Sequence, residues 1–124
     1  MALNVLSVAS EAVPLVKTGG LADVVGALPA AVAPYGVAMT TLVPGYPSVM
    51  AAIGKARTIH RYDNLLGQPA RLVAAKLGEH PLIVLDAPNF FARDGGPYAG
   101  PDGKDWADNW RRFAALGRAA ADLA

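Results

Sequence analysis

The chain has 124 residues, 53% of them hydrophobic and 17% charged, which suits one globular domain or a substantial piece of one and excludes an intrinsically disordered segment. Its 11 basic and 10 acidic residues leave a formal net charge of +1, so there is no broad footprint for nucleic acid or an anionic membrane, and any anion has to be held locally. The absence of cysteine excludes a disulfide framework, a thiolate metal site and a cysteine nucleophile, and makes a reducing compartment, by default the cytoplasm, the expected setting.

Leu3 to Ala9 is a short apolar run that breaks into Glu11, Pro14 and the Gly19-Gly20 pair, the pattern of a buried strand feeding a loop. Met1 to Val16 carries no Lys or Arg and so does not read as a secretory leader. No stretch approaches the roughly 18 consecutive apolar residues of a membrane span. From Leu21, the apolar residues Leu21, Val24, Val25, Leu28 and Val32 recur on one helical face, and Pro34 with Gly36 supplies a stop. Pro29 is expected to kink this helix or end it early, because it lacks an N–H and clashes with the preceding turn.

Val37 to Val43 is a second β-rich run, closed by Pro44-Gly45-Tyr46-Pro47. The resulting strand, helix, strand unit predicts parallel strands, a right-handed crossover and a Rossmann-like opening. A short helix is expected at Ser48 to Ala52. Three further runs follow, Arg57 to Tyr62, Arg71 to Leu77 and Leu82 to Leu85, and the short connections between them favour antiparallel neighbours. Residues 92 to 104 hold Gly95, Gly96, Gly100 and Gly103 with Pro97 and Pro101 and read as a surface loop.

From Asp105, a plausible N-cap, a helix is expected with Trp106, Trp110, Phe113 and Gly117 on one face and Asp108 three and four residues before Arg111 and Arg112. The helical pattern reaches Ala124 without a Gly, Pro or polar stop, which reads as part of a longer chain. The fold class is α/β, a Rossmann-like three-layer sandwich with an antiparallel excursion.

Two glycines between a strand and a helix let the backbone turn tightly and let a ligand approach its N–H groups. With the positive end of the helix, and with Lys17 close by, Gly19 and Gly20 can form an anion site for a phosphate or a nucleotide diphosphate. The pattern is neither G-x-G-x-x-G nor the phosphate loop that ends in G-K-[ST]. The alternative is that the glycines merely start the helix and Lys17 is solvated. Asp23 in the first turn stabilises the helix dipole with or without a ligand and repels phosphate. If it acts in a site, it accepts hydrogen bonds from sugar hydroxyls.

The segment Ser10 to Pro29, SEAVPLVKTGGLADVVGALP, resembles the signature of bacterial glycogen synthases and plant starch synthases, the retaining glycosyltransferases of family five. The resemblance continues through Leu42 to Pro47, Leu85 to Pro88, Arg93 to Tyr98 and Asp108 to Phe113, and so covers most of the chain. It implies the GT-B arrangement of two Rossmann-like domains with the active site in the cleft between them. Residues 1–124 would then be a partial N-terminal domain, and the second nucleotide-binding domain would lie outside them.

The resemblance further implies transfer of glucose from ADP-glucose, or in some members UDP-glucose, to the non-reducing 4-hydroxyl of an α-1,4-glucan, with retention and without a metal ion or other cofactor. On that pattern Lys17 contacts the sugar nucleotide, Gly19 and Gly20 surround its diphosphate, and Asp23 is available to sugar hydroxyls. Tyr98 can stack on a glucan ring, with Arg93 and Asp94 as polar contacts. A packed aromatic is the equal alternative for Tyr98, and a simple turn for Asp94.

Asn109 and Arg112 also match family positions, although Arg112 beside Asp108 reads as a solvated ion pair. Trp106 and Trp110 read as core. His60 and His80 have no clustered partners, so no metal site is expected. The family's His segment and the Arg, Lys and Glu of its second domain have no counterpart in residues 1–124. The isolated chain is therefore expected to be inactive, and a non-catalytic nucleotide-sugar-binding module is the competing reading. A purely structural domain would show the Gly19-Gly20 loop packed shut.

Overall fold

A computed structural model describes residues 3–124. Strand β1 (Leu3–Val8) leads through a loop to helix α1 (Gly20–Val32), a single 3₁₀ turn and strand β2 (Val37–Pro44). Helix α2 (Pro47–Ile53) precedes three strands, β3 (Arg57–Leu65), β4 (Gln68–Leu77) and β5 (His80–Asp86), and the short helix α3 (Pro88–Phe91). After the glycine-rich loop, helix α4 spans Asn109–Leu123.

The five strands form one sheet in the order β1-β2-β5-β4-β3. Pairing is parallel for β1 with β2 and for β2 with β5, and antiparallel for β5 with β4 and β4 with β3. The parallel opening and the antiparallel excursion are both as the sequence predicts. Strands β3 and β4 run longer than their apolar patterns, because the connection is reduced to Leu66 and Gly67, both at positive φ, the two-residue geometry that matches strand twist. Pro69 is accommodated where the register shifts between Tyr62 and Leu65, since a proline gives a ladder no N–H.

Thr41 to Pro44 of β2 are buried in succession, so both faces of the sheet are covered at that end. The core gathers Leu42, Val43, Leu72, Val73, Leu82, Val84 and Leu85 from the sheet with Phe90, Phe91, Ala115, Leu116 and Ala119 from α3 and α4. The carboxyl ends of β1, β2 and β5 feed three neighbouring loops, the position where open α/β sheets hold their ligands. Ladder bonds carry this order outward, from the Ala9 N–H to the Leu42 carbonyl at 3.0 Å and from the Gly45 N–H to the Leu85 carbonyl at 2.8 Å.

Helix α1 departs from the expected apolar face. Leu21 and Val24 are exposed, and the buried positions are Ala22, Val25 and Pro29. The helix docks through small residues because the loop from β1 lies directly against it: the Val13 N–H bonds to the Ala22 carbonyl at 3.0 Å, and a Cβ on Gly26 would stand 2.5 Å from the Val13 carbonyl oxygen. The helix also passes through Pro29 to Val32 instead of ending early.

Helix α4 starts at Asn109, not near Asp105, and its cap residue is Asp108. Asp105 is instead bridged to Ala99, which keeps it in the loop. Among the described residues no helix is long and apolar enough to cross a membrane.

Candidate functional site

The loop after β1 is organised by a residue to which the sequence reading assigned no role. Ala12 and Val16 bond to each other in both directions, at 3.1 and 3.0 Å, and this tight fold turns Glu11 inward, where only 2% of it remains exposed. A buried carboxylate needs donors, and Glu11 has four. Its Oε1 accepts the Thr18 N–H at 2.9 Å and the Gly19 N–H at 3.3 Å, and its Oε2 accepts the Thr18 hydroxyl at 2.6 Å and the Tyr98 hydroxyl at 2.5 Å. Burial by itself would raise this carboxyl. The hydroxyls of Thr18 and Tyr98 and the two N–H groups outweigh it and hold Glu11 at about 2, so it is ionised.

Lys17 and Asp23, both predicted site residues, meet in an ion pair at the surface, with Nζ 2.9 and 2.7 Å from the carboxylate oxygens. Gly19 and Gly20 sit at the start of α1, Gly19 as N-cap with extended φ and ψ of −159°. That conformation is open to any residue, so a tight turn is not why glycine stands there. Nor is internal packing, because a Cβ on either residue would meet nothing within 4 Å. The loop is therefore open to solvent, contrary to what a purely structural domain would show. By helix geometry the N–H groups of Gly20, Leu21 and Ala22 have no intrahelical acceptor. The Gly19 N–H, by contrast, is already engaged by Glu11. Within this loop Glu11, Lys17 and Asp23 carry a formal sum of one negative charge.

The glycine-rich loop lies alongside. Arg93 is fastened by two bonds of 2.7 Å to the Asp108 carboxylate and one of 2.8 Å to the Asn89 carbonyl, and this pairing holds Asp108 below and Arg93 above their ordinary pKa values. Asp94 is exposed. Tyr98 is half-buried with its ring 5.9 Å from that of Phe113, and its hydroxyl, which donates to Glu11, accepts from Ser10 at 2.6 Å. Tyr98 is thus brought to Glu11 and packed as an aromatic at the loop base. A cavity of about 260 Å³ separates the two loops, lined by Val16, Tyr46, Ser48, Arg93, Asp94 and Gly95 among others.

Arg112 corrects a second expectation. It is 1% exposed and, among the described residues, has no carboxylate partner. Its guanidinium donates to the Phe90 carbonyl at 2.6 Å, the Pro97 carbonyl at 2.9 Å and Asn109 Oδ1 at 2.7 Å, and lies over the rings of Phe91, Phe113 and Trp106. Asp108, its expected partner, is taken by Arg93. Asn109 completes the brace by donating to the Tyr98 carbonyl at 2.8 Å. Trp110, expected in the core, is 74% exposed. Glu11 left one faint signal in the sequence, a charge beside the apolar run Ala12-Val13-Pro14-Leu15-Val16; Arg112, which follows Arg111, left none. Among the described residues no three His, Asp or Glu come together in a way that could hold a metal ion.

A β-α-β opening, loops gathered at the carboxyl ends of parallel strands and an open helix N-terminus beside a lysine define the class, a Rossmann-like α/β fold with its candidate site at the strand ends. The starch synthase catalytic domain family matches residues 4–124, and the chain belongs to that family. It is 68% identical over its whole length to a glycogen synthase of Novosphingobium aromaticivorans, covering 26% of that protein. It is 61% identical over 122 residues to a glycogen synthase of Rhodopseudomonas palustris strain BisB18, covering 98% of this chain and 25% of the relative.

Among solved structures it is similar to the catalytic domain of starch synthase IV from Arabidopsis thaliana bound to ADP and acarbose. The TM-score is 0.72 and the identity 26%, over 99% of this chain and 25% of that one. The chain spans about a quarter of the length of the curated relatives it matches.

Proposed function

We propose that the protein is a retaining glucosyltransferase that moves glucose from ADP-glucose to the non-reducing 4-hydroxyl of an α-1,4-glucan. Residues 1–124 then form part of its N-terminal domain and one wall of the active site, and the second nucleotide-binding domain lies beyond them. A cytoplasmic setting, expected from the cysteine-free sequence, belongs to the same proposal. One observation carries the reading: Gly19 and Gly20 are required neither by backbone conformation nor by internal packing, yet they leave open space at a helix N-terminus beside Lys17. Close approach of a ligand explains glycine at both positions. The ADP and acarbose held by the Arabidopsis starch synthase support a nucleotide on one side and a glucan on the other.

In the reaction the bond from glucose C1 to the β-phosphate oxygen breaks and its electron pair leaves with the diphosphate. The acceptor 4-hydroxyl forms the new bond to C1, and its proton passes to the departing diphosphate oxygen. Charge grows on the leaving oxygen and on an oxocarbenium-like glucose, so fixed donors near the phosphates lower the barrier. The N–H groups of Gly20 and Leu21, both exposed, supply such donors, and Lys17 adds a cation once it leaves Asp23. Asp23, released, accepts from sugar hydroxyls. Arg93 and Asp94 line the glucan side.

Because Glu11, Lys17 and Asp23 together are formally negative, residues 1–124 alone bind a diphosphate weakly and transfer nothing. Cations from the rest of the protein complete the site. The test is glucose transfer to glycogen by the full-length gene product, with ADP-glucose and UDP-glucose in parallel. Transfer from ADP-glucose supports the proposal, transfer from UDP-glucose alone corrects the nucleotide, and nucleotide-sugar binding without transfer by the full-length product favours the non-catalytic module.

A further inference from the structure

Glu11 stands where two loops far apart in sequence meet. Its Oε1 serves only the diphosphate-side loop, through Thr18 and Gly19, while its Oε2 is shared between the Thr18 hydroxyl and the hydroxyl of Tyr98, 87 positions along the chain. Each oxygen has two donors and the residue is 2% exposed, so a lost partner leaves a buried charge one hydrogen bond short.

Tyr98 is fixed from behind. Its carbonyl accepts Asn109 Nδ2 at 2.8 Å and the Trp106 N–H at 3.2 Å, and the Pro97 carbonyl beside it accepts Arg112 at 2.9 Å. An unbroken series of bonds therefore runs from α4 through the glycine-rich loop, Tyr98 and Glu11 to Thr18 and to Gly19, the N-cap of α1. The cavity between the loops is lined from both ends of this series, by Val16 next to Lys17 and by Arg93 to Pro97.

We propose that Tyr98 is a positioning residue for the Lys17–Gly20 loop, acting through Glu11, so that the glucan-side loop and the diphosphate-side loop form one mechanical unit. This rests on the reading of the site given above. It assigns the Tyr98 hydroxyl to loop coupling instead of sugar contact. Removing that hydroxyl leaves Oε2 one donor short, and the carboxylate relaxes its hold on Thr18 and Gly19. The loop that receives the nucleotide then loosens, although Tyr98 never touches it.

The full-length gene product with Tyr98→Phe tests this, because phenylalanine keeps the ring on Phe113 and deletes only the hydroxyl. The first readout, amide hydrogen exchange of the segment holding Thr18 and Gly19, needs no ligand. Loss of one hydrogen bond to a charged group is expected to speed exchange about tenfold in the variant. The second is ADP affinity, expected to weaken by a comparable factor of about ten, with little change in melting temperature.

Ser10→Ala is the control, since it removes the other partner of the Tyr98 hydroxyl and leaves all four donors to Glu11 in place. Its exchange at Thr18 and Gly19 should stay near wild type. Exchange in Tyr98→Phe within about twofold of wild type, an equal rise in Ser10→Ala, or unchanged ADP affinity in a protein whose wild type binds ADP overturns the coupling. If the wild type fails to transfer glucose or to bind ADP, the functional reading fails and the exchange measurement still decides the coupling.

Discussion

Lys17 and Asp23 hold each other in an ion pair, Nζ lying 2.9 and 2.7 Å from the two carboxylate oxygens, with both side chains about half exposed. The cation assigned to the diphosphate therefore faces an internal anion in the unliganded chain, and a phosphate has to displace Asp23 before it gains the charge of Lys17. The pair is near solvent, so the competition is mild. It is also reversible, which suits the release of a nucleotide diphosphate that the proposed reaction requires.

Replacing the competitor should therefore strengthen nucleotide binding. Asp23→Asn in the full-length product is expected to tighten ADP by up to about fivefold at low salt, the range of an exposed ion pair, and the gain should shrink as salt screens Lys17. ADP is the probe because it lacks the glucose hydroxyls that Asp23 is proposed to hold. Isothermal titration reads the difference, and weaker ADP binding in the variant would contradict the role assigned to Asp23.

Gly20 separates folding from binding. It is the first helical residue of α1 and has open space around its missing Cβ, so Gly20→Ala should stabilise the fold by about 0.5–1 kcal/mol through helix propensity and a less flexible unfolded chain. The same methyl group projects where a ligand is proposed to approach. Higher thermal stability together with a weaker ADP affinity is the expected combination. A destabilised variant would show that the glycine serves the fold.

Glu11 makes stability depend on acid. With the folded carboxyl held at about 2 against an ordinary 4.5, the unfolded chain takes up a proton first as pH falls. The contribution is complete above about pH 4.5 and is lost progressively toward pH 2, on the order of 3 kcal/mol in total. Glu11→Gln should be less stable than wild type at neutral pH and should lose less on acidification. Denaturant midpoints measured on both sides of that window check the sign, and parallel profiles for the two proteins would contradict it.

Much of this architecture was legible because it rests on local chemistry. The runs of β1 and β2, the Gly19-Gly20 break and the short links around β4 are written in consecutive residues, and the parallel and antiparallel pairings follow from them. The buried face of α1 was legible only in part: Val25 is buried as its spacing predicts, whereas Leu21 and Val24 are left to solvent because the loop from β1 lies against Ala22 and Gly26. The partners of Asp108 and Arg112 were misassigned for a related reason. Helical spacing placed them together, whereas Arg93 from the preceding loop claims the acid and backbone carbonyls claim the arginine.

The candidate site divides in the same way. Lys17, Gly19, Gly20 and Asp23 stand close in sequence and were found together. Glu11 lies in the same quoted segment, but what gives it meaning is Tyr98, 87 positions away, and no short-range pattern reports that contact. Trp110 is the converse case, an aromatic whose helical spacing suggested core and whose side is left to solvent.

On the proposed function, the Lys17–Gly20 loop receives the diphosphate of a glucose donor. Its most direct test is transfer of labelled glucose from ADP-glucose to glycogen by the full-length gene product, compared between wild type and Lys17→Ala under saturating glucan. Transfer by the wild type is expected, with a loss in kcat/KM for ADP-glucose of about a hundredfold in the variant, the scale of removing one preorganised charge-stabilising group. Equal transfer by the two proteins would contradict it.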